Sequence, residues 1–278
     1  MRQVDRETLL KVQPVLLEIA REIKRVCDEN GIRYFLYRGT FLGAVRHRGF
    51  IPWDDDMDFA MVREDYEKFR KIAPEKLGKN YCFQDWHTEE RYPLPFGKVR
   101  KKNTVYFEAK SKRLEENGFY VDIYPLDYAP EDSRERKLLG RKQVHLERLL
   151  LMKSHYTPWQ EEDRINYKKR LGYIPYQLLA ALCSRKRLVE TYDRISKGNT
   201  GNMLYENSGI AGVHYFQADW CRNLSLYSFE DDRFYGPLDY DSCLTQLYGD
   251  YMTLPPEDQR ENRHQILEID FGKEDSAG

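Results

Sequence analysis

The stretch "RGTFLGAVRHRGFIPWDDDMDFAMV", Arg38 to Val62, sets Asp54, Asp55, Asp56 and Asp58 directly against the apolar run Phe59–Val62. Like charges this close repel, and removing each from water is costly unless something positive arrives. "DMDFAMV" (56–62) alternates and predicts a strand, in which Asp56, Asp58 and Ala60 share one face and Met57, Phe59 and Met61 the other. Ahead of it, "IRYFLY" (32–37) predicts a strand that ends at Gly39-Thr40, where "FLGAVR" opens a short helix. Pro52 stops that helix, because it has no N–H and restricts Ile51. A strand that ends in Gly-Thr and opens a helix offers backbone N–H groups to an anion.

Working outward, Val12, Leu16, Ile19, Ile23 and Val26 recur at helical spacing, and Asn30-Gly31 supplies a stop, predicting a helix over 5–29. "REDYEKFRKIA" after the acidic strand returns to helix. "FGKVRKKNTVYFEA" (96–109) predicts two strands around a KKN turn, and "GFYVDIYPLD" (118–127) a further strand with Asp122 embedded in it. Helical, charge-rich segments follow over about 132–155 and 160–198. "KGNTGN" (197–202) reads as a loop, "DYDSCLTQLYGD" as a helix ending near Gly249, and "LPPEDQR" as a rigid extended loop. The expected class is α/β (α+β), a mixed sheet with flanking helices and a helical insertion. The expected division is a catalytic core over 1–130, a helical segment over 131–200, and a part over 201–278 that completes the active site.

The chain has 278 residues, with Lys plus Arg (45) nearly balancing Asp plus Glu (46), so no global field points to nucleic acid. Five cysteines are scattered without a C-x-x-C pair, which argues against a zinc knuckle or a disulfide framework and for a reducing, cytoplasmic setting. "MRQVDRETLLKVQPVLLEIA" carries charge through its first helix and lacks the form of a signal peptide. No run approaches the ~18 apolar residues that span a bilayer.

Three readings compete for the acidic run. A solvated loop is the bland one, and the apolar continuation after Asp58 weakens it. A calcium loop would use Asp54, Asp56 and Asp58, but its sixth position needs Gly and holds Phe59. The third is a catalytic metal site for Mg²⁺ (or Mn²⁺), built from Asp54, Asp56 and Asp58, with Asp122 from another strand.

The order strand, Gly-Thr, helix, D-x-D strand, then a lone acid on a later strand resembles the nucleotidyltransferase superfamily. "GTFLGAVRHRGFIPWDDDMDFAM", "FGKVRKKNT", "YVDIYPLD" and "YGDYMTLPPEDQR", in that order, are similar to the signatures of LicD-family phosphotransferases and their fukutin-like relatives. Arg38 precedes Gly39 where relatives often carry a small residue. The resemblance implies transfer of a phosphorylated alcohol, with phosphocholine from CDP-choline the first choice, to a sugar hydroxyl of a teichoic acid or lipopolysaccharide precursor. CMP would leave. It implies a CDP-activated donor and a glycan or lipid-linked glycan acceptor as partners, and no nucleic acid. Asp56, Asp58 and Asp122 are the expected catalytic residues. Asp54, Asp56, Asp58 and Asp122 are the expected metal ligands. Gly39, Thr40, Arg46, His47, Lys98 and Arg263 are expected around substrate, with Arg48 and Arg100 as further cationic candidates. A cytidylyltransferase making the CDP donor, and transfer of glycerol or ribitol phosphate, are the alternatives.

One further stretch stands out. "KKRLGYIPYQLLAALCSRKR" (168–187) sets an uncharged segment between two basic clusters. It reads either as a core helix with polar ends or as a helix lying on the inner face of an anionic membrane, a peripheral contact.

Overall fold

The computed structural model describes residues 4–109, 114–156, 167–207, 213–262 and 264–272, with the backbone alone at 167–170. Arg263 and residues 157–166, part of the second expected helical stretch, lie outside the described residues.

Helix α1 (Arg6–Glu29) forms on the expected apolar spacing, and Asp5 caps it by accepting the N–H of Thr8 at 2.8 Å. Leu16, Ile19, Ile23 and Val26 on its inner face are fully buried. Gly31, at φ 62°, takes the left-handed turn that ends the segment. Strand β1 is only Phe35–Leu36, shorter than the expected 32–37. It finds ladder partners only at Ala60 and Phe59, and Arg38 at φ 47° then turns the chain into α2 (Arg38–Arg46).

Strand β2 (Asp58–Val62) is buried along its whole length and leads directly into α3 (Arg63–Lys76). Asp56 lies before β2 rather than within it, so the two carboxylates reach a common region from loop and strand, not from one strand face. Three strands follow, β3 (Tyr81–Gln84), β4 (Gly97–Lys101) and β5 (Val105–Glu108). The long β6 (Tyr120–Tyr128) comes next. The main sheet runs β1-β2-β6-β4-β3, with β2 parallel to β6 and the other pairs along this path antiparallel. The segments flanking the KKN turn are both strands, but they do not pair with each other: β4 lies in the main sheet and β5 joins a separate ribbon.

Pro125 sits inside β6 without breaking it. Asp122 donates its N–H to the Met57 carbonyl at 3.0 Å, on the β2 side. By alternation, position 125 faces the other side, where pairing with β4 has already ended at Ile123.

Helices α4 (Ser133–Lys153), α5 (Tyr167–Leu182) and α6 (Arg185–Ser196) form the helical segment. Leu150, Leu188, Val189 and Tyr192 from α4 and α6 close over Trp86 and Tyr92 in a second, smaller core. The chain then returns to the main sheet: β7 (Met203–Asn207) pairs with the end of β6, and β8 (Val213–Gln217) with β7. Helix α7 (Ala218–Arg222) leads to a hairpin of β9 (Leu224–Phe229) and β10 (Asp232–Pro237). Helix α8 (Tyr240–Tyr248) ends at Gly249 as expected. "LPPEDQR" is not wholly extended: Glu257–Gln259 make one 3-10 turn after the second proline. Strand β11 (Ile266–Asp270) pairs antiparallel with β5.

Candidate active site

The parallel register sets Asp58 on β2 opposite Asp122 on β6, and both side chains are buried. Thr40, in the first turn of α2, accepts the Asp58 N–H on its hydroxyl at 2.8 Å and so fixes the start of β2. The loop before β2 is held by α1, because Gln13 Nε2 donates to the carbonyl of Asp54 at 3.0 Å. Within it, carboxylate oxygens of Asp54, Asp55 and Asp56 come within 4.8 Å of one another. A Cβ on Gly39 would stand 3.0 Å from Asp54 Oδ2, a tight contact that a larger residue could make only by moving the carboxylate.

The charges in this group are unequal. Burial, followed by Asp56, Asp55 and Asp58, pushes the Asp54 carboxyl well above the usual range. Burial, with Asp56 and Asp122, raises Asp58, and Arg38 and His264 oppose the shift only in part. Asp122 is raised chiefly by burial, against the pull of Lys98. Asp55 differs: His264 Nδ1 lies 3.0 Å from its Oδ1, and the Tyr106 hydroxyl donates to its Oδ2 at 3.3 Å. Its oxygens are engaged by the protein, and it anchors the loop.

Cations line the other side. Lys98 Nζ lies 2.8 Å from Asp122 Oδ1 and 3.8 Å from Glu108 Oε1, over the face of Tyr120. Tyr120 donates its hydroxyl to Glu108 at 2.6 Å. Burial would raise the Glu108 carboxyl, but Lys98, His264 and the Tyr120 hydroxyl overcome it and pull it down to about 2. Burial would likewise lower His264, yet its bond to Asp55 and the charges of Asp56 and Glu108 push it up to about 10, so it stands as an imidazolium. Arg38 pairs with the buried Glu206 of β7 and stacks against Tyr37 and Tyr124. This pairing offsets the roughly 1 kcal/mol that a non-glycine residue spends at positive φ.

Of the residues expected around substrate, Gly39, Thr40 and Lys98 therefore meet the acidic group. Arg46 and His47 lie at the far end of α2, about 10 Å along the axis from Gly39 and Thr40. There Arg46 donates to the Tyr251 carbonyl at 2.8 Å and to His47 at 3.0 Å, and His47 meets the edge of Trp53. Arg260 stacks on Trp53 at 5.6 Å, so a basic and aromatic patch adjoins the acidic loop. Arg100 is engaged inside, donating to Gln84 at 2.6 Å and to the Gly118 carbonyl at 2.7 Å. Arg263 is outside the described residues. Glu108, His264 and the Arg38–Glu206 pair were not singled out by sequence reasoning for this site. His264 reaches Asp55 across 209 residues, through the β5–β11 ribbon, and no local pattern announces such a contact.

The donor set fits a hard divalent cation. Carboxylate oxygens of Asp54 and Asp56 lie close together in the loop and Asp58 is near enough to act on Asp54 by charge. The carboxyls of Asp54 and Asp58 are destabilised as anions by burial and mutual repulsion, and the amine and imidazolium nearby are committed to Asp122 and Asp55.

Residues 31–161 match the family model described as LicD/FKTN/FKRP, nucleotidyltransferase domain. The lipopolysaccharide cholinephosphotransferase LicD of Haemophilus influenzae is 27% identical over 262 residues, covering 92% of this chain and 96% of its own length. The ribitol 5-phosphate transferase FKRP of mouse and of human is 29% identical over 110 residues, covering 40% of this chain and 20% of the relative.

Proposed function

We infer, on the premise that the chain belongs to the LicD family, that it transfers a phosphorylated alcohol from an activated donor to a hydroxyl of a glycan. The favoured donor is CDP-choline, and the favoured acceptor is a sugar of a lipopolysaccharide or teichoic acid precursor. The near full-length match to a relative named a cholinephosphotransferase supports choline over ribitol, whose named transferases match a shorter part. The observation that carries the reading is the facing pair Asp58 and Asp122, with the Asp54–Asp56 loop at one side and Lys98 at the other.

In this reading Asp54, Asp56 and Asp58 would hold Mg²⁺ (or Mn²⁺), which would supply positive charge to offset that of the donor's diphosphate. Asp122 takes the proton of the acceptor hydroxyl. The hydroxyl oxygen forms a bond to the phosphorus that carries the alcohol. The bond from that phosphorus to the bridging oxygen breaks, and its electron pair leaves with CMP. Lys98 orients Asp122 and faces the phosphate charge. His264 holds Asp55 and keeps the loop in place. Arg46, His47 and Arg263 are the candidates for the nucleotide end of the donor.

The test is to offer CDP-choline, CDP-ribitol, CDP-glycerol and CDP-ethanolamine with a glycan acceptor and to follow CMP by mass spectrometry. CMP from one donor, lost in Asp56→Asn, supports the proposal. Pyrophosphate released from CTP, with no CMP from any donor, would replace it with a cytidylyltransferase.

A further inference from the structure

Helix α5 is apolar on two opposite faces. Tyr173, Tyr176 and Ala180 turn inward: the Tyr176 hydroxyl contacts His145 and Arg148 of α4, and Ala180 is buried. The opposite arc carries Leu171 (55% exposed), Ile174 (44%), Leu178 (67%), Leu179 (52%) and Leu182 (86%). At 100° per residue these five lie within one continuous stripe. Aliphatic side chains this exposed are normal singly, but a stripe of them along one helix marks a binding surface. The sequence expectation of a core helix with polar ends therefore fails, because α4 covers one face only.

Charge identifies what covers the other. From Tyr167 to Arg187 the chain has no acidic residue, whereas Lys168, Lys169 and Arg170 stand before the stripe and Lys186 and Arg187, in the first turn of α6, after it. Arg185, just ahead of that pair, turns inward and donates to the carbonyls of Trp86, Glu89 and Tyr92. Lys186 and Arg187 are exposed. A second copy of the chain is a poor occupant, since this face laid on itself sets Lys168–Arg170 against their own copies in parallel and against Lys186 and Arg187 at the start of α6 in antiparallel. An anionic bilayer satisfies both features: the leucines enter the acyl boundary and the two basic ends meet the head groups. No helix among the described residues is long and apolar enough to cross a membrane, so α5 lies along the surface. We propose that α5 seats this protein on an anionic lipid bilayer. The proposal stands on α5 and the first turn of α6 and does not depend on the transfer reaction.

The experiment is co-sedimentation of the full chain with phosphatidylcholine vesicles, with and without about one-third phosphatidylglycerol, at low and high salt. Binding is expected only to the anionic vesicles, weaker at high salt, and reduced about tenfold or more by Leu178→Glu with Leu182→Glu, or by Lys186→Gln with Arg187→Gln. Both pairs sit on the surface, and an unchanged melting temperature verifies the fold. No binding to anionic vesicles overturns the proposal. So does a dimer in light scattering that the two Glu substitutions convert to monomer, because the stripe is then a contact between copies.

Discussion

Thr40→Val separates two jobs that one hydroxyl can do. In the structure Thr40 Oγ1 accepts the Asp58 N–H at 2.8 Å, and both residues are buried. Valine keeps the shape and removes the acceptor, so no cavity forms, but a buried N–H loses its partner. That costs about 1–3 kcal/mol. For a chain of this size each kcal/mol lowers the melting temperature by roughly 2–4 °C, so the expected drop is roughly 2–12 °C. Because the lost bond anchors the first residue of β2, turnover should fall with it while KM for the donor stays near wild type. Thr40→Ser retains the acceptor and loses one methyl, about 0.8 kcal/mol, and should keep most of the turnover. Urea denaturation and steady-state kinetics on the three proteins decide the matter. A Thr40→Val protein as stable as wild type but with a raised KM would mean that the hydroxyl binds substrate and that the structural reasoning is wrong.

Adding Mg²⁺ should raise the melting temperature of the wild-type protein, and EDTA should reverse the rise; at a hundredfold excess over Kd the gain is about 2.7 kcal/mol. Asp56→Asn should show little of this shift, and an equal shift in both proteins would remove Asp56 from the ligand set. Lys98→Met leaves Asp122 and Glu108 without their buried cation and should cost about 3–5 kcal/mol and abolish turnover. Adding Asp122→Asn to it should restore part of the stability and none of the activity, measured by denaturant midpoint and CMP formation. Glu147, buried in the second core, has its carboxyl pushed well above the usual range by burial, against the Tyr192 hydroxyl. Its native pKa is above the unfolded one, so its contribution is full below the ordinary carboxylate range and is lost as pH rises through the native value. Glu147→Gln should therefore raise the urea midpoint more at pH 8 than at pH 5, and equal gains at both would contradict this account.

The elements that frame the acidic group were legible because each rests on a local signal. Helix α1 has its apolar spacing, and the apolar runs around Asp58 and Asp122 mark β2 and β6. Helix α2 opens at the Gly39-Thr40 turn, although it ends at Arg46, where Arg48 at φ 59° turns the chain well before Pro52. What was not legible depends on partners far away in the chain. β1 pairs over only two residues, Phe35 and Leu36, with Ala60 and Phe59 of β2, and no window around residue 35 reveals how far such a long-range ladder runs. The strands of the β9–β10 hairpin are half exposed and irregular in pattern, and its turn carries Glu230 at positive φ, where glycine or asparagine would have signalled it. Within the site, Asp58 and Asp122 could be placed by their strands. The pairings of Arg38 with Glu206 and of His264 with Asp55 cross 168 and 209 residues, and only the folded sheet brings them together. α5 misled for a different reason. Its apolar count is that of a core helix, and sequence does not say that one face alone will be covered.

The imidazolium at 264 also has a consequence for how the protein comes into being. A ribosome adding about 5–20 residues per second needs roughly 10–40 s to make the 209 residues that separate Asp55 from His264. Throughout that interval the nascent sheet carries its carboxylates without their last cationic neighbour or the closing β5–β11 ribbon. A chain that stops short of residue 264 therefore lacks both this contact and the ribbon that presents it.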